Sequence, residues 1–226
     1  MSQFKGVIFD MDGVIINSEP QHYEAYVMLC HAYGQEFPYE EYKQFIGTTH
    51  AKVCEYMMEH MNIPLSEEEL QQTLRNNRQY LIDTKGYEEI PGISQFIKSL
   101  YENGIKLAIA SSSPQKEIQA VVKSLQIEKY FTKLVSGESV AHPKPAPDVF
   151  LKATDALGLT PEECIIIEDS GNGIRAAVAA NIPAIGFYNP DSGEQDLSQA
   201  AIVVEGFDEV DYNFAKQVYE RAHHLP

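Results

Sequence analysis

Near its start the chain reads Gly6-Val7-Ile8-Phe9-Asp10-Met11-Asp12-Gly13-Val14. The apolar run from Val7 to Phe9 has the length and the β-branched content of a buried parallel strand. Two carboxylates follow it, and ligands of open α/β sheets bind just beyond the carboxyl ends of the strands. Gly13 permits a sharp turn, so the Asp12 side chain need not point away from Asp10. An Asp-x-Asp-Gly pattern is also typical of a plain acidic turn, and only other parts of the chain can distinguish the two.

The composition is that of an acidic globular protein. The 226 residues are 44% hydrophobic and carry a formal charge of −16, which argues against nucleic acid and anionic membranes as partners. We find no apolar segment long enough to span a bilayer and no signal region, so we expect a cytoplasmic protein. Cys30, Cys54 and Cys164 lie in apolar patterns without metal-like spacing, which predicts buried free thiols.

Strand and helix patterns alternate along most of the chain, which indicates a parallel α/β sheet. Six apolar runs have strand length, and they cover residues 7–9, 106–110, 133–136, 164–167, 183–187 and 201–204. Residues 15–86 show only helical patterns, including a capping box that begins at Ser66. We predict a Rossmann-like doubly wound parallel sheet core, formed by residues 1–14 and 87–226, with an inserted all-helical cap domain at residues 15–86.

Polar side chains stand at the ends of the predicted strands and in one loop. They are Asp10 and Asp12, Ser111, Glu168 and Asp169, with Lys144 in the loop after the third strand. Parallel strands end along one edge of a sheet, so these side chains should converge. Two carboxylates ~4 Å apart repel by about 4 kcal/mol at an effective dielectric of 20, so four of them require protons or a cation. Oxygen ligands without histidine or thiolate suit a hard ion, Mg²⁺ above all.

The ordered set of motifs resembles the haloacid dehalogenase superfamily of phosphohydrolases, in the branch with a helical cap after the first strand. The similarity is to the β-phosphoglucomutase and sugar-phosphate phosphatase group, and it covers essentially the whole chain. The motifs are Asp10-Met11-Asp12-Gly13-Val14, Ala110-Ser111-Ser112-Ser113, His142-Pro143-Lys144-Pro145-Ala146-Pro147-Asp148 and Glu168-Asp169-Ser170-x-x-Gly173.

The resemblance implies roles for these residues. Asp10 would attack phosphorus and form an aspartyl-phosphate, and Asp12 would act as general acid and then general base. Mg²⁺ would be the cofactor, and the resemblance assigns it to Asp10, the backbone carbonyl of Asp12, Asp169 and Glu168. Glu168 could bind the Mg²⁺ directly, or it could support the site without contacting the metal. The implied phosphate-binding residues are Ser111, Ser112 and Lys144.

Other interpretations exist for some of these positions. Ser111 could cap the following helix, although Ser113 is better placed to do so. In the cap, the resemblance implies that substrate specificity depends on His22, Gly47, Thr49 and His50. Without the resemblance, His22 would be interpreted as a surface residue.

The same comparison favours a phosphatase over a mutase. Asp12 fits P–O cleavage, since the dehalogenases of the family lack this second aspartate. Mutases hold a second phosphate through a Gly-Val-Ser-Arg loop and a lysine on a later helix, where this chain has Gly47-Thr48-Thr49-His50 and Asn76. Pro114 and Gln115 replace a further lysine and asparagine of the mutases.

We therefore expect a Mg²⁺-dependent phosphatase for a small phosphate monoester, with sugar phosphates among the candidates. The alternative is a β-phosphoglucomutase-like mutase, in which Arg75 or Arg78 would supply part of the second phosphate site. A third hypothesis is a non-catalytic phosphate-binding protein on the same fold. The expected partner is a small phosphorylated metabolite, and the expected state is a monomer.

Overall fold

The computed structural model describes residues 3–46, 48, 50–193 and 195–223, with the backbone alone at residue 50. Within these residues the strands are β1 (Gly6–Phe9), β2 (Lys106–Ser111), β3 (Phe131–Ser136), β4 (Cys164–Glu168), β5 (Ala184–Phe187) and β6 (Ile202–Val204). The α-helices are α1 (Glu19–Ala32), α2 (Tyr39–Tyr42), α3 (His50–His60), α4 (Glu67–Lys85), α5 (Ile93–Glu102), α6 (Gln115–Ser124), α7 (Asp148–Leu157), α8 (Gly171–Ala179) and α9 (Tyr212–Ala222).

The six strands of the described chain form one parallel sheet in the order β3-β2-β1-β4-β5-β6. From β1 the chain moves outward to β2 and β3, and it then returns to the other side of β1 to build β4, β5 and β6. The strand order therefore reverses between β1 and β4, at the place where ligands of doubly wound sheets bind. This order confirms the predicted Rossmann-like α/β core.

Strand β1 is buried along its whole length, as a central parallel strand must be. A Cβ at Gly6 would lie 2.5 Å from Leu159 Cδ1 and 2.8 Å from Cys164 Sγ, so any larger residue would have to displace these two side chains. Beyond the strand, Gly13 has a φ of 80° and donates its N–H to the Ile16 carbonyl at 2.7 Å. This tight turn keeps the two aspartates that follow β1 at the edge of the sheet.

The chain divides into two compact units. The sheet unit comprises residues 3–16, 89–190 and 195–223. The helical unit comprises the described residues of 17–88, together with 191–193, and contains α1 to α4. Its own core is apolar and rich in aromatic side chains, among them Tyr26, Phe37, Tyr42, Leu29, Met57 and Leu70. The predicted capping box is present, because Ser66 accepts the Glu69 N–H while the Glu69 carboxylate accepts the Ser66 N–H.

The two units differ from the sequence-based division by two residues at each junction, since residues 15–16 group with the sheet unit and 87–88 with the helical unit, and they differ further in one short segment after β5. Residues 191–193 group with the helical unit instead. The Asn17 side-chain amide donates to Asp191 Oδ2 at 2.7 Å. At Gly193, an added Cβ would lie 2.9 Å from Ile46 Cγ2. These contacts are long-range in sequence, and therefore the local pattern could not indicate them.

Cys30, Cys54 and Cys164 are buried and form no disulfide, which confirms the expected free thiols. In the ranges described above, no helix combines the length and the apolar character that crossing a bilayer requires.

Candidate active site

Three carboxylates meet at the carboxyl edge of the sheet. Asp10 follows β1, Glu168 ends β4 and Asp169 comes next, and all three are buried. One oxygen of each lies within 4.8 Å of the others. The Asp10 N–H donates to the carbonyl of Ile167 at 2.9 Å, which fixes the end of β1 against β4. The sheet thus brings together residues that lie about 160 positions apart in the sequence.

Lys144 lies inside this cluster, although it comes from a loop. Its Nζ donates to Asp10 Oδ1 at 2.5 Å and to Glu168 Oε1 at 2.8 Å. The Nζ is also 4.6 Å from the centre of the Phe150 ring, a distance typical of a cation–π contact. The side chain is only 7% exposed. Lys144 is therefore a buried bridge between two carboxylates and not a solvated loop lysine.

The charges of the cluster do not balance, since three carboxylates surround one ammonium group. Burial, together with the charges of Glu168 and Asp12, raises the pKa of Asp10 to about 7, although the Lys144 charge opposes the increase. Burial alone would lower the pKa of Lys144, but Asp10 and Glu168 reverse this and hold it above its usual value. Lys144 is thus a permanent cation at neutral pH, and added positive charge near Asp10 would favour its ionised form.

Glu168 is held on both of its oxygens. Its Oε1 accepts from Lys144, and its Oε2 accepts the backbone N–H of Ser170 at 2.6 Å. The Ser170 hydroxyl caps α8 by accepting the Gly173 N–H at 3.0 Å. A Cβ at Gly173 would lie 1.6 Å from Glu168 Oε1. The glycine of this motif is therefore required because the Glu168 carboxylate occupies the space that a side chain would fill.

Asp12 is oriented by Ser113, whose hydroxyl donates to Asp12 Oδ2 at 2.6 Å. The prediction that Ser113 caps the next helix is wrong, since α6 follows Pro114 and has no side-chain cap bond. The Ser113 N–H is bound to Ser111 Oγ at 3.0 Å in the turn after β2, and the Ser113 hydroxyl is engaged with Asp12 instead of α6. The second oxygen, Asp12 Oδ1, is buried and has no hydrogen-bond partner within the described chain.

The two predicted phosphate-binding serines have different surroundings. Ser111 is the last residue of β2 and is buried, whereas Ser112 is exposed. Since the Ser111 hydroxyl oxygen accepts the Ser113 N–H, Ser111 shapes this turn and does not cap α6. Both phosphate-binding roles stay predictions.

The cap positions are described only in part. His22 lies on α1 and is partly exposed, while Gly47 and Thr49 lie outside the described residues. At His50 the backbone alone is described, at the start of α3. Arg75 is one of the two arginines that could supply part of a second phosphate site in a mutase. It is exposed and donates to Gln72 Oε1 at 2.8 Å. The specificity roles of the four cap positions stay predictions.

Two residues of the edge were missed by sequence analysis. Asn189 is buried just after β5 and donates to the Gly13 carbonyl at 3.0 Å. Gln195 donates to the Asp169 carbonyl at 2.5 Å. The signal for Asn189 is the same as for Asp10, a polar residue directly beyond a buried parallel strand. Gln195 lies in an irregular loop, for which the sequence offers no comparable signal.

The donor set fits a hard divalent cation. One oxygen from each of Asp10, Glu168 and Asp169 lies within 4.8 Å of the other two, and carboxylate oxygens are the ligands that such ions prefer. The buried cluster also has an excess of negative charge, which a cation would compensate. The side chain of Asp12 does not belong to this three-residue group, so a contribution from Asp12 would have to come from its backbone carbonyl, as predicted.

The fold is a doubly wound α/β sheet that carries buried carboxylates at its switch point. The chain belongs to the haloacid dehalogenase-like hydrolase family, because the model of that family matches residues 7–187. Relatives are named phosphatases, and the enzyme class is accordingly that of a hydrolase acting on phosphate monoesters.

Three comparisons illustrate this membership. The chain is 32% identical over 181 residues to the phosphorylated carbohydrates phosphatase of Thermotoga maritima, covering 80% of this chain and 83% of that protein. It is 29% identical over 184 residues to a fructose-1-phosphate phosphatase of Escherichia coli, covering 81% and 96%. The crystal structure of β-phosphoglucomutase from Clostridium difficile superposes with a TM-score of 0.75 at 27% identity, covering 98% and 100% of the two chains.

Proposed function

We propose that this chain is a Mg²⁺-dependent phosphatase that hydrolyses a small sugar phosphate through an aspartyl-phosphate on Asp10. The observation that carries the proposal is the buried group of Asp10, Glu168 and Asp169, with Lys144 bound to two of its members. Support for a sugar phosphate comes from the relatives, which are named for phosphorylated carbohydrates and for fructose 1-phosphate.

In the first step a carboxylate oxygen of Asp10 attacks the phosphorus of the bound ester. The new O–P bond forms as the P–O bond to the sugar breaks. The leaving oxygen takes a proton from Asp12 and departs as an alcohol. The product of this step is an acyl phosphate on Asp10 and an ionised Asp12.

In the second step Asp12 takes a proton from a water molecule, whose oxygen attacks the same phosphorus. The bond between Asp10 and phosphorus breaks, phosphate leaves, and both aspartates return to their starting states. The bond from Ser113 to Asp12 Oδ2 suits this cycle, because it fixes the orientation of the carboxyl group. It also leaves Asp12 Oδ1 available to carry the proton.

The reaction brings an anionic nucleophile against an anionic phosphate, so it requires positive charge at the edge of the sheet. Asp10, Asp169, Glu168 and the Asp12 carbonyl would hold Mg²⁺, whose charge reduces the repulsion between the nucleophile and the phosphate. Lys144 supplies a fixed cation that stabilises the phosphoryl oxygens as charge develops on them. Ser111 supplies a hydroxyl at the end of β2.

Phosphate release from a panel of sugar phosphates, with Mg²⁺ or with EDTA, tests the proposal. We expect release with Mg²⁺ and a loss of at least about 100-fold with EDTA, since the metal contributes several kcal/mol to such transition states. Conversion of β-glucose 1-phosphate into glucose 6-phosphate is measured in parallel. Isomerisation that outpaces phosphate release would contradict the proposal and favour the mutase, a possibility that the structural similarity to β-phosphoglucomutase makes worth testing.

Substitution of Gly173 by alanine tests the placement of Glu168. Alanine is favoured over glycine inside a helix by about 1 kcal/mol, yet here its Cβ would overlap Glu168 Oε1 at 1.6 Å. The carboxylate must move and lose its bonds to Lys144 and Ser170. We expect Mg²⁺ affinity, measured by calorimetry, to fall by about 10- to 100-fold, the usual cost of disturbing the support of a metal ligand.

Gly171→Ala is the matched control in the same helix. Its Cβ would meet the Asp196 carbonyl at 3.4 Å and the Arg175 side chain at 3.5 Å, which are ordinary contacts. We expect the affinity of this variant to match that of the wild type. Equal Mg²⁺ binding by Gly173→Ala and Gly171→Ala would show that the position of Glu168 does not matter for the metal.

A further inference from the structure

The segment after β5 contains a polar network that the proposed mechanism does not use. Asn189 is 2% exposed, and its side-chain amide donates to the Gly13 carbonyl at 3.0 Å. Its backbone N–H donates to Gln195 Oε1 at 3.2 Å. The amide of Gln195 in turn donates to the Asp169 carbonyl at 2.5 Å. Two amide side chains thus connect the loop after β1 to the loop after β4.

The first end of this network holds the peptide between Gly13 and Val14, one residue beyond Asp12. Gly13 has a φ of 80° and lacks a side chain, so its backbone is intrinsically the most mobile point of the turn. The Gly13 N–H is bound to the Ile16 carbonyl at 2.7 Å, and the Gly13 carbonyl is bound to Asn189. The peptide groups on both sides of Gly13 are therefore fixed, and the backbone of Asp12 is fixed with them.

The other end controls the peptide between Asp169 and Ser170. The Gln195 amide donates to the carbonyl of this peptide, which belongs to Asp169. The N–H of the same peptide, which belongs to Ser170, donates to Glu168 Oε2 at 2.6 Å. A peptide group is planar, so a rotation that breaks one of these bonds also strains the other. Glu168 is bound to Lys144 through its second oxygen. Gln195 therefore sets the orientation of a peptide on which the position of Glu168 depends.

We propose that Asn189 and Gln195 are positioning residues that align the Asp12 turn with the Glu168–Asp169 turn. Neither side chain belongs to the carboxylate cluster, and both act through backbone carbonyls. The chain leaves the sheet unit after Pro190 and re-enters it at Gln195, so the two residues also anchor the ends of this excursion. The inference rests on the proposed function, because it assigns Mg²⁺ to the cluster that the network supports.

Gln195→Met tests the second end of the network. Methionine keeps the length of the side chain but removes the donor to Asp169 and the acceptor for Asn189. We expect calorimetry with Mg²⁺ alone to give a dissociation constant about 10- to 100-fold higher than that of the wild type. We also expect the rate of phosphate release to recover when Mg²⁺ is raised in proportion, as it would not if the fold were damaged.

Gln195→Glu provides a second variant, and it decides the question if the methionine variant fails to fold. It keeps the acceptor for Asn189 but replaces the donor to Asp169 by a charged oxygen, which repels the Asp169 carbonyl, so the same direction of change is expected. Gln79→Met is the matched control, because Gln79 is exposed on α4 and its side-chain amide donates to Asp83 at 2.8 Å, far along the chain from the carboxylate cluster. We expect its Mg²⁺ affinity to stay within about twofold of the wild type, since surface changes are usually neutral.

Asn189→Asp tests the first end, since it replaces the donor to Gly13 by an acceptor without changing the shape. We expect kcat to fall about tenfold with KM nearly unchanged, as for the loss of a supporting residue. Asn103→Asp is its control, because Asn103 is exposed and donates to the Ser99 carbonyl at 2.9 Å.

The outcomes separate the inference from the proposed function. A wild-type protein that neither binds Mg²⁺ nor releases phosphate would refute the function. If the wild type binds Mg²⁺ and releases phosphate, but the Gln195 variants bind Mg²⁺ as tightly as the wild type, only the role of Gln195 is refuted. An unchanged kcat in Asn189→Asp would refute the role of Asn189 in the same way.

Discussion

Asp10→Asn is expected to reduce phosphate release by about 10⁴- to 10⁶-fold, the range typical of an enzyme that loses its covalent nucleophile. The amide has nearly the same shape, and its oxygen can still accept the Lys144 bond that now measures 2.5 Å. It cannot attack phosphorus, so no acyl phosphate forms. Trapping with hydroxylamine should detect the acyl phosphate in the wild type during turnover, and should detect none in the variant.

The same substitution should not destabilise the metal-free protein. Burial and the neighbouring carboxylates raise the pKa of Asp10 to about 7, so ionisation of this group is unfavourable in the folded state. A neutral asparagine removes that cost, and above pH 7 we expect a melting temperature at least equal to that of the wild type. Asp155→Asn, at an exposed position of α7, is the control for the melting temperature.

Retention by Asp10→Asn of more than about a tenth of the wild-type rate of phosphate release would rule out a covalent role for Asp10, given the range above.

The sheet and its edge could be predicted because their signals are local. Apolar runs mark the strands, and the polar residues that follow β1, β2 and β4 must converge once the strands are parallel. The capping box at Ser66 is also a short-range pattern, and the structure contains it. The sequence could not show which of several nearby polar groups a given side chain binds. Ser113 fits either a helix cap or a carboxylate, and only the folded turn shows that it binds Asp12.

Contacts between distant segments were the other missing part. The Asn17–Asp191 bond joins residues 174 positions apart, and the bond from Gln195 to Asp169 begins in a loop without periodicity. Polar residues in such loops are common on protein surfaces, so nothing in the local composition distinguishes Gln195 from a solvated residue. The position of Lys144 in the loop after β3 placed it near the site and the resemblance supplied its phosphate-binding role, whereas its two carboxylate partners are seen only in the fold.

Lys144→Met should impair both catalysis and stability. Methionine keeps an unbranched apolar side chain but removes the ammonium group, which now lies between Asp10 and Glu168 and 4.6 Å from the centre of the Phe150 ring. We expect kcat/KM to fall by about 10²- to 10³-fold, comparable to the loss of one donor to a developing anion. Two buried carboxylates are also left without a cation, and breaking a buried ion pair costs about 3–5 kcal/mol of the free energy of unfolding.

The stability loss should depend on pH in a definite direction. The pKa of Asp10 is raised from 3.8 in the unfolded chain to about 7 in the folded protein. Between these values the folded state binds more protons than the unfolded state, so stability falls as pH rises through this window. Lys144 is the charge that opposes the increase in the Asp10 pKa, so its removal extends the window above pH 7. Melting curves in EDTA should therefore show a difference in stability between wild type and Lys144→Met that is smaller at pH 5 and grows towards pH 8.

Lys152→Met is the control, at an exposed lysine that donates to the Ser139 carbonyl at 2.7 Å, and it should show no such trend. A difference that shrinks as pH rises would mean that Lys144 does not compensate the charge of Asp10, and the electrostatic account of the cluster would be wrong.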